Sequence, residues 1–168
     1  RLLTADSPEE LQERFSFSVE ETKNIRPYLH KPFQVRHLLY IPKRQRSQFA
    51  HIPLPKSYRI RESISQHMLS GSNIALHFAR SNKSNTIDHF FISRYPSDLK
   101  AVERTTGSVF APLYRCTEDD GFQSNLRPII LDNISEILKQ ECTPIELISY
   151  IYAVLYSPSY RKENQGQL

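Results

Sequence analysis

The chain is poor in glycine, in cysteine and in long apolar runs, and each shortage removes a class of chemistry. Its four glycines, Gly71, Gly107, Gly121 and Gly166, stand singly, so no glycine-rich turn is present to bring the backbone against a cofactor's phosphates. Its two cysteines, Cys116 and Cys142, lack Cys-x-x-Cys spacing and are too few for a disulfide framework, so both read as plain thiols. No apolar run approaches the roughly 18 residues of a membrane-spanning helix. The N-terminus is acidic, unlike a signal peptide, and the expected location is the cytoplasm with no membrane partner. The six histidines, His30, His37, His51, His67, His77 and His89, share no ligand spacing, and no metal site is read from them. No serine, histidine and acid form a nucleophilic constellation. Asp119-Asp120 is a turn before Gly121 rather than an acid/base pair.

What the chain has is charge, unevenly placed. Residues 1 to 21 hold six acids and two bases, residues 22 to 87 twelve bases and one acid, Glu62, and residues 88 to 168 eight bases and eleven acids. A basic centre between two acidic flanks points to a polyanionic partner, nucleic acid above all, or else to an ordinary solvated basic face. At 168 residues and 39% hydrophobic, the chain suffices for one core and is too short for two full domains. It opens on Arg1, which suggests a segment of a longer protein.

Local signals define the elements. Ser7-Pro8-Glu9-Glu10 opens a helix with Leu11 and Phe15 on one face, and Ser18 to Glu21 opens a second. Pro27 and Pro32 forbid regular helix from Asn24 to Phe33, and Val35, Leu38 and Tyr40 fit a strand stopped by Pro42. A basic, proline-punctuated loop follows, then a helix over Arg59 to Leu69 closed by Gly71. Strands are expected at 73 to 80, 89 to 94 and 108 to 115, and a helix from about Asn125 that Pro128 delays. Thr143-Pro144-Ile145-Glu146 is a capping box, and Leu147, Ile148, Ile151, Val154 and Leu155 form an apolar stripe ending near Tyr156. Ser157-Pro158 then starts an angled helix carrying Tyr160, Arg161 and Lys162. The fold class is therefore α+β: one domain, a mixed, largely antiparallel sheet with flanking helices and a C-terminal helix pair. It divides into an acidic helical lead-in (1–22), a basic sheet-containing part (23–116) and C-terminal helices (125–163).

Ser157-Pro158-Ser159-Tyr160 has the outline of the (Asp/Asn/Ser)-Pro-Pro-(Tyr/Phe/Trp) loop with which amino-group methyltransferases hold a base. That loop follows a strand and needs a glycine-rich cofactor turn upstream. Here it follows a helix, and the helix-junction reading is the stronger. The surrounding block, "TPIELISYIYAVLYSPSYRKE", closely resembles the C-terminal signature of type ISP restriction-modification enzymes and related large adenine-methylating proteins. "RPYLHKPFQVRHLLY", "HMLSGSNIALHFAR" and "FAPLYR" resemble upstream elements of the same family in the same order, over roughly residues 25 to 162. The departures are Tyr156 for a histidine and "KPFQ" for "RPFD".

The resemblance implies a target recognition domain, which reads DNA sequence while a methyltransferase domain of the same chain flips and methylates an adenine. It implies no cofactor in this domain. In the parent it implies S-adenosylmethionine, with ATP and magnesium where nuclease and motor are present. Double-stranded DNA is the expected partner. Lys43, Arg44 and Arg46 form a basic loop suited to phosphates, with Lys31 and Arg36 joining them from the family-like element. Arg80 and Arg94 end expected strands beside polar loops, and with Asn82 and Lys83 are the candidates for reading base edges. Ion pairs with Asp88 or Asp98 are the competing role for the two arginines. Tyr150, Tyr152 and Tyr156 have the chemistry to stack on bases, but helical spacing favours core packing for at least two of them. Two rival functions stay open: part of a methyltransferase catalytic domain, and a basic protein-interaction domain.

Overall fold

The computed structural model describes residues 3–52, 61–79, 90–102, 107–119 and 121–164. The acidic lead-in is built into the core. Strand β1 (Thr4–Ala5) pairs with β3 (Gln34–Leu39), which pairs with β2 (Ile25–Lys31), giving an antiparallel sheet of order β1-β3-β2. Helix α1 (Pro8–Phe15) starts where the Ser7 hydroxyl accepts from the Glu10 amide at 3.1 Å. Helix α2 (Val19–Thr22) starts at a reciprocal Ser18/Glu21 capping box, so both helices begin where their cap residues dictate. Leu11, Phe17, Ile25, Tyr28, Leu39 and Ile41 close one core cluster, each large apolar side chain contributing about 1.5–3 kcal/mol on burial.

Strand β2 contains Pro27, which reads as a strand breaker. It is accommodated because β2 lies at the sheet edge, where a missing N–H costs the ladder nothing. Its far side is covered at one point: the Leu29 amide donates to Pro96 O at 2.8 Å and the Asp98 amide to Leu29 O at 2.9 Å, around a parallel Leu29–Ser97 bridge. That bridge joins the first sheet to the second.

The second sheet has order β5-β4-β6, from β4 (Ala75–Ala79), β5 (Phe90–Ser93) and β6 (Ser108–Pro112), all antiparallel. After Leu113 the chain forms a third ladder, β7 (Tyr114–Cys116) with β8 (Phe122–Ser124). Among the described residues the strands are thus divided among three small antiparallel sheets rather than one. The expected strand over 108 to 115 is split at Leu113, whose amide is drawn to Ile74 O and whose carbonyl accepts from Asn125. Of the helix expected over Arg59 to Leu69, α3 (Glu62–Ser65) and a 3₁₀ turn over Gln66–Met68 lie in the described residues.

Asn73 holds these pieces together. Its Nδ2 donates to His67 O (2.9 Å) and Tyr114 O (2.7 Å), and its Oδ1 accepts from the amides of Ile74 (2.8 Å) and Tyr114 (3.2 Å). All its hydrogen-bonding capacity is used at 1% exposure, which is what a buried amide requires.

The C-terminal region is helical. Helix α4 (Pro128–Leu138) starts at its proline rather than at Asn125. Helix α5 (Pro144–Tyr156) has the expected capping box, Thr143 N to Glu146 Oε2 at 2.9 Å and Glu146 N to Thr143 Oγ1 at 3.4 Å. The Thr143 hydroxyl, donating to Glu146 Oε2 at 2.6 Å, and then the Thr143 amide hold the Glu146 carboxyl below the usual carboxylate range. Helix α6 (Pro158–Glu163) follows at once. Of the apolar stripe on α5, Leu147 and Ile148 are buried, while Ile151, Val154 and Leu155 are half-buried.

Candidate nucleic-acid interface

Residues 22 to 61 carry ten basic residues and no acid, and the described part of that stretch folds into the β2-β3 hairpin and a 3₁₀ stretch, Lys43–Phe49. The cluster Lys43, Arg44 and Arg46 is therefore not a free loop. Buried Phe49 anchors its end and the Lys43 amide donates to Glu62 Oε2 at 3.1 Å. Lys43 and Arg44 are exposed and Arg46 is half-buried. Just before it, the buried Tyr40 hydroxyl is pushed up to about 12 by desolvation.

The five candidate phosphate contacts are not brought to one spot. Lys31 is exposed at the hairpin tip, whereas Lys43 to Arg46 follow the opposite end of β3. Six strand residues separate the two ends, roughly 20 Å. Arg36, between them, is engaged: its Nε lies 2.8 Å from Asp6 Oδ1. The acidic lead-in also reaches His51, whose Nε2 lies 2.7 Å from Glu21 Oε1. Asp6 thus offsets Arg36 in the middle of the hairpin, while Lys31 beyond one end and Lys43 and Arg44 beyond the other are exposed.

Of the candidate base-reading residues, Arg94 is exposed in the bend after β5, and no described acid forms an ion pair with it. Asp98, its expected competitor, instead accepts from the Lys100 amide at 2.9 Å. Arg80, Asn82 and Lys83 lie outside the described residues, within the connection from β4 to β5.

The frame around that connection is well defined. His77, at the centre of β4, is fully buried between Phe91 (ring centroids 4.7 Å apart) and Phe110 (5.4 Å). The Ser93 hydroxyl donates to Tyr95 O, so it accepts from His77 Nε2 at 3.0 Å, which leaves Nδ1 to accept from Ser97 Oγ at 2.9 Å. Burial drives this imidazole down to about 3, keeping it neutral. It is a core residue, not a ligand. On the outer edge of β5, Tyr156 donates to Phe90 O, and the backbone of Ile92 hydrogen-bonds the Tyr152 hydroxyl, which burial pushes up to about 12. Arg161 sits 4.2 Å over the Tyr156 ring. Tyr152 is thus half-buried and Tyr156, though 38% exposed, is tied to the edge of β5, while Tyr150 is 69% exposed. Ser157-Pro158-Ser159-Tyr160 joins two helices end to end, with Ser157 Oγ 2.9 Å from Ser159 Oγ.

Residues 3–168 match the family described as the Type ISP C-terminal specificity domain. The chain belongs to that family. The specificity domain is similar to part of two solved assemblies. One is the cryoEM structure of a DrdV-DNA complex, with TM-score 0.60 and 22% identity over 92% of this chain and 14% of that one. The other is the ATP-dependent Type ISP restriction-modification enzyme LlaBIII bound to DNA, with TM-score 0.54 and 17% identity over 95% of this chain and 10% of that one. The specificity domain thus spans about a seventh and a tenth of their lengths. No curated protein matches it.

Sequence reasoning passes over one feature of this surface. Phe33, at the tip of the β2-β3 hairpin, is 92% exposed with φ +63°. Reading β2 as a strand through Pro27 would have found it, because Pro32-Phe33 then becomes a two-residue hairpin turn.

Proposed function

We infer that this domain reads duplex DNA sequence for a larger restriction-modification or DNA adenine methyltransferase protein and performs no chemistry itself. The observation that carries the reading is the acid-free stretch from residue 22 to 61, whose described part presents exposed cationic side chains at both ends of one hairpin. A span of roughly 20 Å exceeds the about 12 Å width of the major groove, so Lys31 at one end and Lys43, Arg44 and Arg46 at the other reach phosphates on its two sides. Arg94 and the β4-β5 connection, with Arg80, Asn82 and Lys83, supply the base contacts. Both structural relatives are DNA complexes by description, which supports the same partner here.

S-adenosylmethionine, and in a motor-bearing parent ATP and magnesium, bind outside this domain, in a cytoplasmic enzyme. The methyltransferase domain of the same chain is the partner for helix α4, whose Ile129, Ile130, Ile137 and Leu138 are exposed.

The test is to select duplexes from a randomised pool with the chain, then compare selected and scrambled duplexes in competition at several salt concentrations. A strong preference for the selected sequence is expected. Equal affinity for both would reject sequence reading, and tight S-adenosylmethionine binding in a calorimetric titration would reject the non-catalytic assignment.

A further inference from the structure

Lys31 pairs with Gln34, leaving Pro32 and Phe33 as the two-residue turn between β2 and β3. Proline fixes the first φ near −65°, and the second is +63°, the combination of a type II turn, whose second position belongs to glycine or asparagine. A bulky residue there is an outlier. The other described non-glycine residues with positive φ, Ser16 and Lys139, are helix C-caps, an ordinary place for that conformation. Phe33 has no such excuse: it neither caps a helix nor fills the core. Its neighbours Lys31, Pro32, Gln34 and Val35 are exposed too, so the ring stands alone at the end of a projecting hairpin. Backbone strain combined with a solvated aromatic ring is a cost that a binding role offsets.

We propose that Phe33 is a wedge: its ring inserts into the base stack of the bound duplex while Lys31 holds the adjacent phosphate. The inference rests on the DNA-reading assignment above. Apolar side chains inserted at a base step unstack it and bend the duplex, and a ring held by two strands arrives with little conformational freedom to lose. The charge of the surroundings favours DNA over an apolar protein pocket, since the tip belongs to the stretch with ten bases and no acid.

The absence of tryptophan in the chain provides a clean reporter. In Phe33→Trp, emission should be strongly quenched by a duplex selected from a randomised pool, whereas Val19→Trp, on the exposed and acidic α2, should barely respond. Phe33→Asn should melt at the same or a higher temperature, because asparagine tolerates positive φ, yet bind the duplex roughly five- to a hundredfold more weakly, the range of base stacking. Its slope of log K against log salt should be unchanged, as no phosphate contact is lost.

Should the chain bind DNA while Phe33→Trp is quenched no more than Val19→Trp, and Phe33→Asn bind as tightly as the parent sequence, the wedge is wrong and a protein contact is left for the ring. Should the chain bind no duplex even at low salt, the DNA-reading assignment itself falls, and the wedge with it.

Discussion

The hydroxyl of Tyr156 donates to the carbonyl of Phe90, tying the last turn of α5 to the first residue of β5 across 66 positions of sequence. With Tyr152 against Ile92, it occupies the outer edge of a strand that would otherwise offer unpaired backbone groups to another chain.

Tyr156→Phe keeps the ring beneath Arg161 and removes only that bond. The expected cost is about 1 kcal/mol of stability, read in urea unfolding, together with faster hydrogen exchange near Phe90. No change in either would show that the helix pair does not secure this edge.

His77 makes the fold sensitive to acid. The unfolded chain protonates it near the ordinary imidazole value of 6.5, but the folded chain only near 3, so the unfolded state binds the extra proton between those values. Stability is fully present above 6.5 and falls as pH drops toward 3, at up to about 1.4 kcal/mol per pH unit from this residue. His77→Gln should be less stable at neutral pH and show a shallower decline over that window. An equally steep decline would place the acid sensitivity in carboxylates such as Glu146, whose lowered pKa also makes stability fall on acidification.

The two classes of cation separate by salt and by sequence. Changing Lys43, Arg44 and Arg46 together to alanine should weaken binding to selected and scrambled duplexes alike, and flatten log K against log salt by up to about 0.9 per lost contact. Arg94→Ala should lose on the order of 1–3 kcal/mol on the selected duplex only. Loss of discrimination in the triple variant, with Arg94→Ala retaining it, would reverse the roles.

The exposed side of α4 is suited to burial against a neighbouring domain. Ile137→Glu with Leu138→Glu should leave the melting temperature and DNA affinity of the chain unchanged, since both residues are solvated here, while methylation by the parent enzyme drops. A parent that methylates normally would remove the methyltransferase domain from that surface.

The elements most legible in the sequence are those whose determinants are local. Ser7-Pro8, the Ser18/Glu21 pair and the Thr143/Glu146 pair each place a helix start at the residue observed, because a capping box is complete within four positions. Strand β2 was hidden by Pro27, whose tolerance depends on an edge position that only the assembled sheet defines. Nothing in the sequence around Asn73 marks its role, because its decisive partner, Tyr114, is 41 positions away. The basic run after Pro42 reads as a loop from its composition, yet buried Phe49 and the bond to Glu62 wind it into a 3₁₀ stretch. For the interface, charge was visible as an inventory, but not that Asp6 and Glu21 would occupy Arg36 and His51.

Phe78 pairs directly with Phe90, so the connection between them leaves and re-enters the sheet at neighbouring points, with His77 holding one strand from within and Tyr156 the other from outside. The two ends of the chain that joins these strands are thereby anchored on directly paired residues. Doubling the length of a flexible connection between such ends adds only about 0.6 kcal/mol of closure entropy. The paired strands β4 and β5 can therefore carry connections of different length with little change in the stability of their sheet.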